Sequence, residues 1–125
     1  MKKYHASQTP GSDEWLELDE STRIDLVQHH HKTAGIDFQK GAEELHAMIH
    51  VVVENQIAMG IDAVSAAISK LLRQGLSRHE AIHAIGAIIS EDIFEIVNSK
   101  QEFNKSRYRR RLDKLTAKRW KKGKY

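Results

Sequence analysis

LHAMIHVVVEN, Leu45 to Asn55, is the most apolar run of the chain, yet it carries His46, His50 and Glu54 at intervals of four residues. It lacks the strict alternation of a half-buried strand, and its apolar residues fall on nearly every side of a helical repeat, so it reads as a buried helix. Residues four apart on a helix stand one above the other, about 6 Å along the axis. His46, His50 and Glu54 therefore form a single row, which Glu43 can extend by one more carboxylate. A second apolar run, RHEAIHAIGAII, repeats the spacing with His79 and His83.

Working outward, all of the punctuation is helical. A first helix is expected over about Asp19 to Thr33 with Gly35 as its stop, and a second over about Phe38 to Ala58 ending near Gly60. Asp62 is placed to cap a third, IDAVSAAISKLLRQG, whose Val64, Ala67/Ile68 and Leu71/Leu72 recur at helical spacing before Gly75. Ser77 with Glu80 three residues later makes a capping box. It starts a fourth helix with Ile82, Ile85, Ile89, Ile93 and Ile96 on one stripe. A basic helix over about Asn104 to Trp120 closes the chain. Short Gly-centred links favour antiparallel neighbours, which gives an all-α fold, a four- to five-helix bundle with the second and fourth helices at its centre. Gly86 would let those two backbones approach closely. Residues 1–17, with Pro10 and Gly11, read as a flexible, irregular leader, residues 18–99 as the bundle domain and residues 100–125 as a basic C-terminal segment.

A length of 125 residues suits one domain. The absence of cysteine excludes disulfides, thiolate nucleophiles and Cys-type zinc sites, so any metal here must use His, Asp or Glu. The N-terminus has no apolar signal region, and no stretch approaches the roughly 20 apolar residues of a membrane span. A cytoplasmic protein with no membrane partner is the expectation. The patterning leaves self-association open, a homodimer included.

Leaving a buried polar group unpaired costs about 1–3 kcal/mol, a large share of a typical stability of about 5–15 kcal/mol. Buried imidazoles in these rows must therefore have partners. If the two helices face each other, a divalent transition metal satisfies several at once, with His46, His50, His79, His83 and Glu54 as ligands. Such an N/O set suits zinc, iron, nickel or manganese. His79 also lies in the first turn of its helix, where the dipole favours a neutral ring. The alternative is a set of core histidines satisfied locally by carboxylates, carbonyls or water.

Glu80, His31 and Glu43 are weaker candidates for the same site. Of HHH at His29 to His31, at most two can face the bundle, with His31 or His30 best placed; the alternative is a solvated helix end beside Lys32. HEAIH, His79 to His83, also matches the zinc-protease pattern HExxH. Glu80, however, already has a capping role, and no sheet is present to hold an extended peptide. A metal-dependent hydrolase using Glu54 or Glu80 as base stays open as an alternative, and neither a phosphate-binding glycine loop nor a Ser-His-Asp arrangement is evident. Whether the protein is an enzyme is not fixed by these residues.

The net charge of +3 conceals an asymmetry, because residues 100–125 hold 12 basic and 2 acidic residues while the rest of the chain is acidic. Arg107, Arg109, Arg110, Arg111, Lys118, Arg119, Lys121 and Lys122 are interleaved with Tyr108, Trp120 and Tyr125, a pattern suited to nucleic acid or another acidic partner. Leu112, Leu115 and Trp120 give the same segment an apolar edge, so docking on the acidic bundle is the alternative.

LHAMIHVVVENQIAMG and LLRQGLSRHEAIHAIG, preceded by RIDLVQHHHK, resemble a family of small bacterial proteins catalogued as a domain of unknown function. The resemblance covers about Asp19 to Asn98 and rests on His46, His50, Glu54, Gln56, His79 and His83, with His31 a looser match. It implies a shared helical fold and a shared polar constellation but no reaction, and the basic end beyond Lys100 departs from it.

Overall fold

Successive residues of a helix are about 100° apart, and that angle divides α3, Ala42–Ala58, into three faces. Ala47, Val51 and Ala58 share one side and pack with Tyr4, Trp15 and Val27. Ile49, Val52, Val53 and Ile57 share another and join the larger core of Val64, Leu71, Ile82, Ile85 and Leu112. The row His46, His50, Glu54 falls on the seam between them, with His50 and Glu54 almost wholly buried. The histidines thus stand in an apolar run because two separate cores meet along α3.

The computed structural model describes residues 1, 3–33, 42–99 and 102–123, and among them the chain is all-α, with seven helices and no strand. Around α3 lie α1 (Ser12–Glu17), α2 (Glu20–Thr33), α4 (Asp62–Arg73), α5 (Arg78–Ser99), α6 (Lys105–Lys114) and α7 (Ala117–Lys121). The expected stop at Gly35, the start near Phe38, and Lys100 and Tyr125 lie outside the described residues. Gly60 and Gly75 end α3 and α4 with φ of 70° and 98°, a region open to glycine at no steric cost. No single helix among the described residues is long and apolar enough to cross a membrane.

At the head of α5 the capping box forms as expected. Ser77 Oγ accepts from the Glu80 amide at 3.1 Å, and the Ser77 amide donates to Glu80 Oε1 at 3.3 Å. Asp62 does not cap α4: Ile61 holds the cap position with extended backbone, no side chain bonds the helix end there, and Asp62 is the first helical residue. The isoleucine stripe of α5 is buried at Ile82, Ile85 and Ile89, but Ile93 is 41% exposed.

The leader is a larger correction. Ser12–Glu17 is helical, and Tyr4, Ala6 and Trp15 are buried. Two aromatic side chains bury enough apolar surface to order a short segment, and their rings meet at 5.6 Å. Polar bonds add to this: Trp15 Nε1 donates to Asn55 Oδ1 at 2.9 Å and Arg23 Nε to the Trp15 carbonyl at 3.0 Å.

The tail also differs from one continuous helix. Thr116, capping the Arg119 amide with its hydroxyl, starts α7 after a break at Leu115. Leu112, Leu115 and Ala117 enter the main core, and Tyr108 donates to Gln56 Oε1 at 2.7 Å. Lys70 Nζ reaches back to the Leu112 carbonyl at 2.9 Å. The tail docks on the bundle.

α3 and α5 run antiparallel and close together at Gly86, where an added Cβ would lie 3.0 Å from Ile49 Cγ2 and 3.9 Å from Val53 Cγ2. Gly86→Val would gain some helical propensity, at most about 1 kcal/mol, but would force Ile49 and Val53 aside at a cost of about 1–3 kcal/mol. A net loss of stability is expected in urea unfolding; an unchanged midpoint would mean the helices are not in contact at this position.

Candidate metal centre

Three helices and the leader deliver side chains to one spot. The C-terminal turn of α2 brings His30 and His31, α3 brings His46, His50 and Glu54, and the first turns of α5 bring Arg78, His79 and His83. Nitrogens of His31, His50, His79 and His83 all lie within 4.8 Å of one another, a cluster that could hold a metal ion. His31 Nε2 is 3.3 Å from His79 Nε2, which matches the edge of a tetrahedron of nitrogens about 2.05 Å from zinc, near 3.3 Å.

His46 stands beside this set, its Nε2 2.9 Å from that of His83. Of the residues expected from sequence as ligands, His50, His79 and His83 fall in this cluster, and His31, a weaker candidate there, is its fourth member. Glu54 is a correction. Its carboxylate is committed to a buried ion pair, with Arg78 Nη2 on Oε1 at 2.7 Å and Nη1 on Oε2 at 2.8 Å, instead of turning to the histidines. A bidentate guanidinium match of this kind outcompetes a bare site for the carboxylate. Glu43 is exposed in the first turn of α3, and Glu80 is exposed as the cap partner of Ser77, so neither belongs to the cluster. Gln56 is turned to Tyr108 on the other side of α3.

Tyr4 explains how His50 is held. Its hydroxyl contacts Glu54 Oε2 and lies 2.5 Å from His50 Nε2. A carboxylate only accepts, so the hydroxyl donates to Glu54 and must accept from His50, which places the His50 proton on Nε2. Nδ1 then carries a lone pair, and it is buried with no hydrogen-bond partner. The chain Arg78, Glu54, Tyr4, His50 is the carboxylate-to-histidine support that metal ligands usually have, lengthened by one phenol.

No family model, curated protein or solved structure matches this chain.

Burial keeps these imidazoles neutral. It lowers His31 and His79 to about 4 and His83 to about 3, with repulsion between neighbouring rings the next cause. His50 is pushed down further by the same two causes, and His30 and His46 are lowered chiefly by burial. The Tyr4 phenol is raised far above its usual range by burial first and then by the Glu54 charge, so it stays a donor. Neutral rings offer lone pairs, which is the state a metal requires.

Of the basic residues expected to meet an acidic partner, Arg107 pairs with Glu95 at 2.8 Å through Nη2, and Arg111 pairs with Asp92 at 3.0 Å and with Glu91. Arg109, Arg110, Lys118, Arg119, Lys121 and Lys122 are exposed. Sequence reasoning missed Tyr4 and Arg78. Nothing in the sequence couples them to positions 50 and 54, since both reach the site by tertiary contact.

Proposed function

We propose that the protein binds one divalent transition-metal ion through His31, His50, His79 and His83. The single observation that carries this reading is Nδ1 of His50, a desolvated lone pair on a ring that stands among those of His31, His79 and His83 and whose other nitrogen is held by Tyr4. A buried acceptor of this kind costs about 1–3 kcal/mol unless something pairs with it, and a cation shared among four rings pairs with all of them.

With Glu54 held by Arg78, the set is purely imidazole. That favours zinc, iron or nickel and argues against manganese, which prefers oxygen ligands. Bound there, the ion would supply Lewis acidity and tie α2, α3 and α5 together. Four protein donors are the usual complement of a structural site. Neither glutamate of the hydrolase alternative is placed as a base, because Glu54 is neutralised by Arg78 and Glu80 caps its own helix.

Protein purified without a polyhistidine tag is expected to carry about one equivalent of metal by elemental analysis, and the stripped protein to gain thermal stability when zinc or nickel is restored. His79→Ala should abolish uptake. Tyr4→Phe keeps every ligand but frees the His50 ring, and should weaken affinity by about 10–100-fold. Absence of metal together with no thermal shift on addition would refute the proposal.

A further inference from the structure

The fold divides the cations of the tail into two sets. Arg107 and Arg111 turn to the carboxylates of Glu95, Asp92 and Glu91 on α5, where their charge is matched. Arg109, Arg110, Lys114, Lys118, Lys121 and Lys122 face solvent. On α6, steps of about 100° put Arg109, Arg110, Asp113 and Lys114 on one arc of about 140°, opposite Tyr108 and Leu112, which enter the core. Asp113, the one carboxylate on that arc, lies beside Lys70, whose Nζ donates to the Asp113 carbonyl at 3.0 Å. Arg110, Lys114, Lys118 and Lys122 recur at every fourth residue, across the break at Leu115 and into α7, so neighbouring charges stand no more than about 14 Å apart along the chain.

The inner side of the same helices selects the partner. Leu112, Leu115 and Ala117 are buried in the main core, so the apolar stripe that an interfacial helix sinks into lipid is already occupied. A protein partner would need aromatic and apolar anchors at the centre of the contact, and that edge is committed inward as well. Single strands are held largely by stacking on aromatic rings, whereas Tyr108 is 5% exposed with its hydroxyl on Gln56. What meets solvent is a file of cations, and a duplex matches it. B-form DNA carries one phosphate charge per about 1.7 Å of axis, so each cation finds a phosphate without exact register. Its major groove, about 12 Å wide, also admits a helix, while that of duplex RNA is too narrow for side chains. The acidic remainder of the chain is repelled by the same phosphates, which orients this face toward them.

We propose that the outward face of α6 and α7 binds double-stranded DNA by its phosphate backbone, without reading base sequence. Binding there uses none of the histidines of α2, α3 and α5 and does not depend on metal. With about four phosphates neutralised at once, log K should fall with log salt at a slope near −3.6, a loss of about 100-fold between 50 mM and 200 mM.

The test is fluorescence anisotropy of a labelled DNA duplex of about 20 base pairs, titrated with the full chain at about 50 mM and about 200 mM salt. Arg110→Gln should weaken binding about fivefold. The triple variant Arg109→Gln, Arg110→Gln, Lys114→Gln should weaken it at least about 50-fold and show less than about half of the parent's salt slope. Arg107→Gln changes the net charge as much as Arg110→Gln does, yet should leave affinity within about twofold, because Arg107 is paired with Glu95. Should the triple variant fail to fold, Arg110→Gln and Lys118→Gln, single changes at exposed positions, carry the same comparison. No binding at the lower salt, equal losses from Arg107→Gln and Arg110→Gln, or equal or tighter binding to an RNA duplex, a DNA single strand, polyglutamate or phosphatidylserine vesicles overturns the proposal.

Discussion

Arg78→Met is expected to destabilise the protein by about 3–5 kcal/mol, the usual result of stripping one partner from a buried ion pair. The guanidinium is 7% exposed and the Glu54 side chain 1%, so the charge left behind has no access to water. Arg78 Nη1 also donates to the Ala6 carbonyl at 3.0 Å, and that bond, which helps to hold the leader, goes with it. Against a total of about 5–15 kcal/mol, such a loss approaches global unfolding at physiological temperature. The double variant Glu54→Met, Arg78→Met removes both charges together and should recover at least half of the loss, since a well-packed apolar pair often replaces a buried ionic one without cost. Chemical denaturation of the two variants decides the point. A loss under about 1 kcal/mol for Arg78→Met alone would place the pair at the solvated surface, where ion pairs contribute little.

The second large effect is on pH. His31, His79 and His83 have folded-state values of about 4, 4 and 3, whereas an unfolded histidine titrates near 6.5. Above that value neither state binds the proton, and the folded protein is at full stability. As pH falls below about 6.5 the unfolded chain takes up protons that the folded state refuses, so stability declines until the folded values are reached. At pH 5 one such ring taken alone costs about 2 kcal/mol, and because the rings lower one another by mutual repulsion the cost for the set is shared and smaller than three separate costs added together. Metal-free protein should thus lose most of its stability between pH 6.5 and pH 4.5, with a fall in Tm of at least about 10 °C by pH 5. Metal uptake by the folded protein should hold through most of this interval and weaken only as pH nears the folded values of about 4 and 3, where protons compete with the ion for the same lone pairs. Calorimetry across this range checks the prediction, and a flat Tm from pH 7 to pH 5 would show that the rings are solvated.

How much of this was legible beforehand differs by level. The helices could be read because their signals are local: the apolar spacing of α4, the Ser77–Glu80 capping box and the positive-φ stops at Gly60 and Gly75 each lie within a few residues of the structure they make. The row His46, His50, Glu54 and its counterpart His79, His83 followed from helical periodicity alone. The close approach at Gly86 was readable because only glycine leaves that much room.

The roles inside the row were not legible. Periodicity puts Glu54 in line with two histidines, but it cannot say that Arg78 from another helix claims the carboxylate, or that His31 joins the cluster while His46 stands beside it. The leader was misread for the same reason: Pro10 and Gly11 are local signals for irregular chain, while the burial of Tyr4 and Trp15 is a long-range event.

By itself, then, the sequence determined which residues are helical and which of them share a face, because both depend on neighbours three or four positions away. Only the tertiary structure decided which nitrogen of His50 carries a proton and which stays bare, since that depends on a phenol 46 residues distant along the chain. Local rules set the rows of side chains, whereas the partners each side chain meets are fixed by packing between elements far apart in the chain.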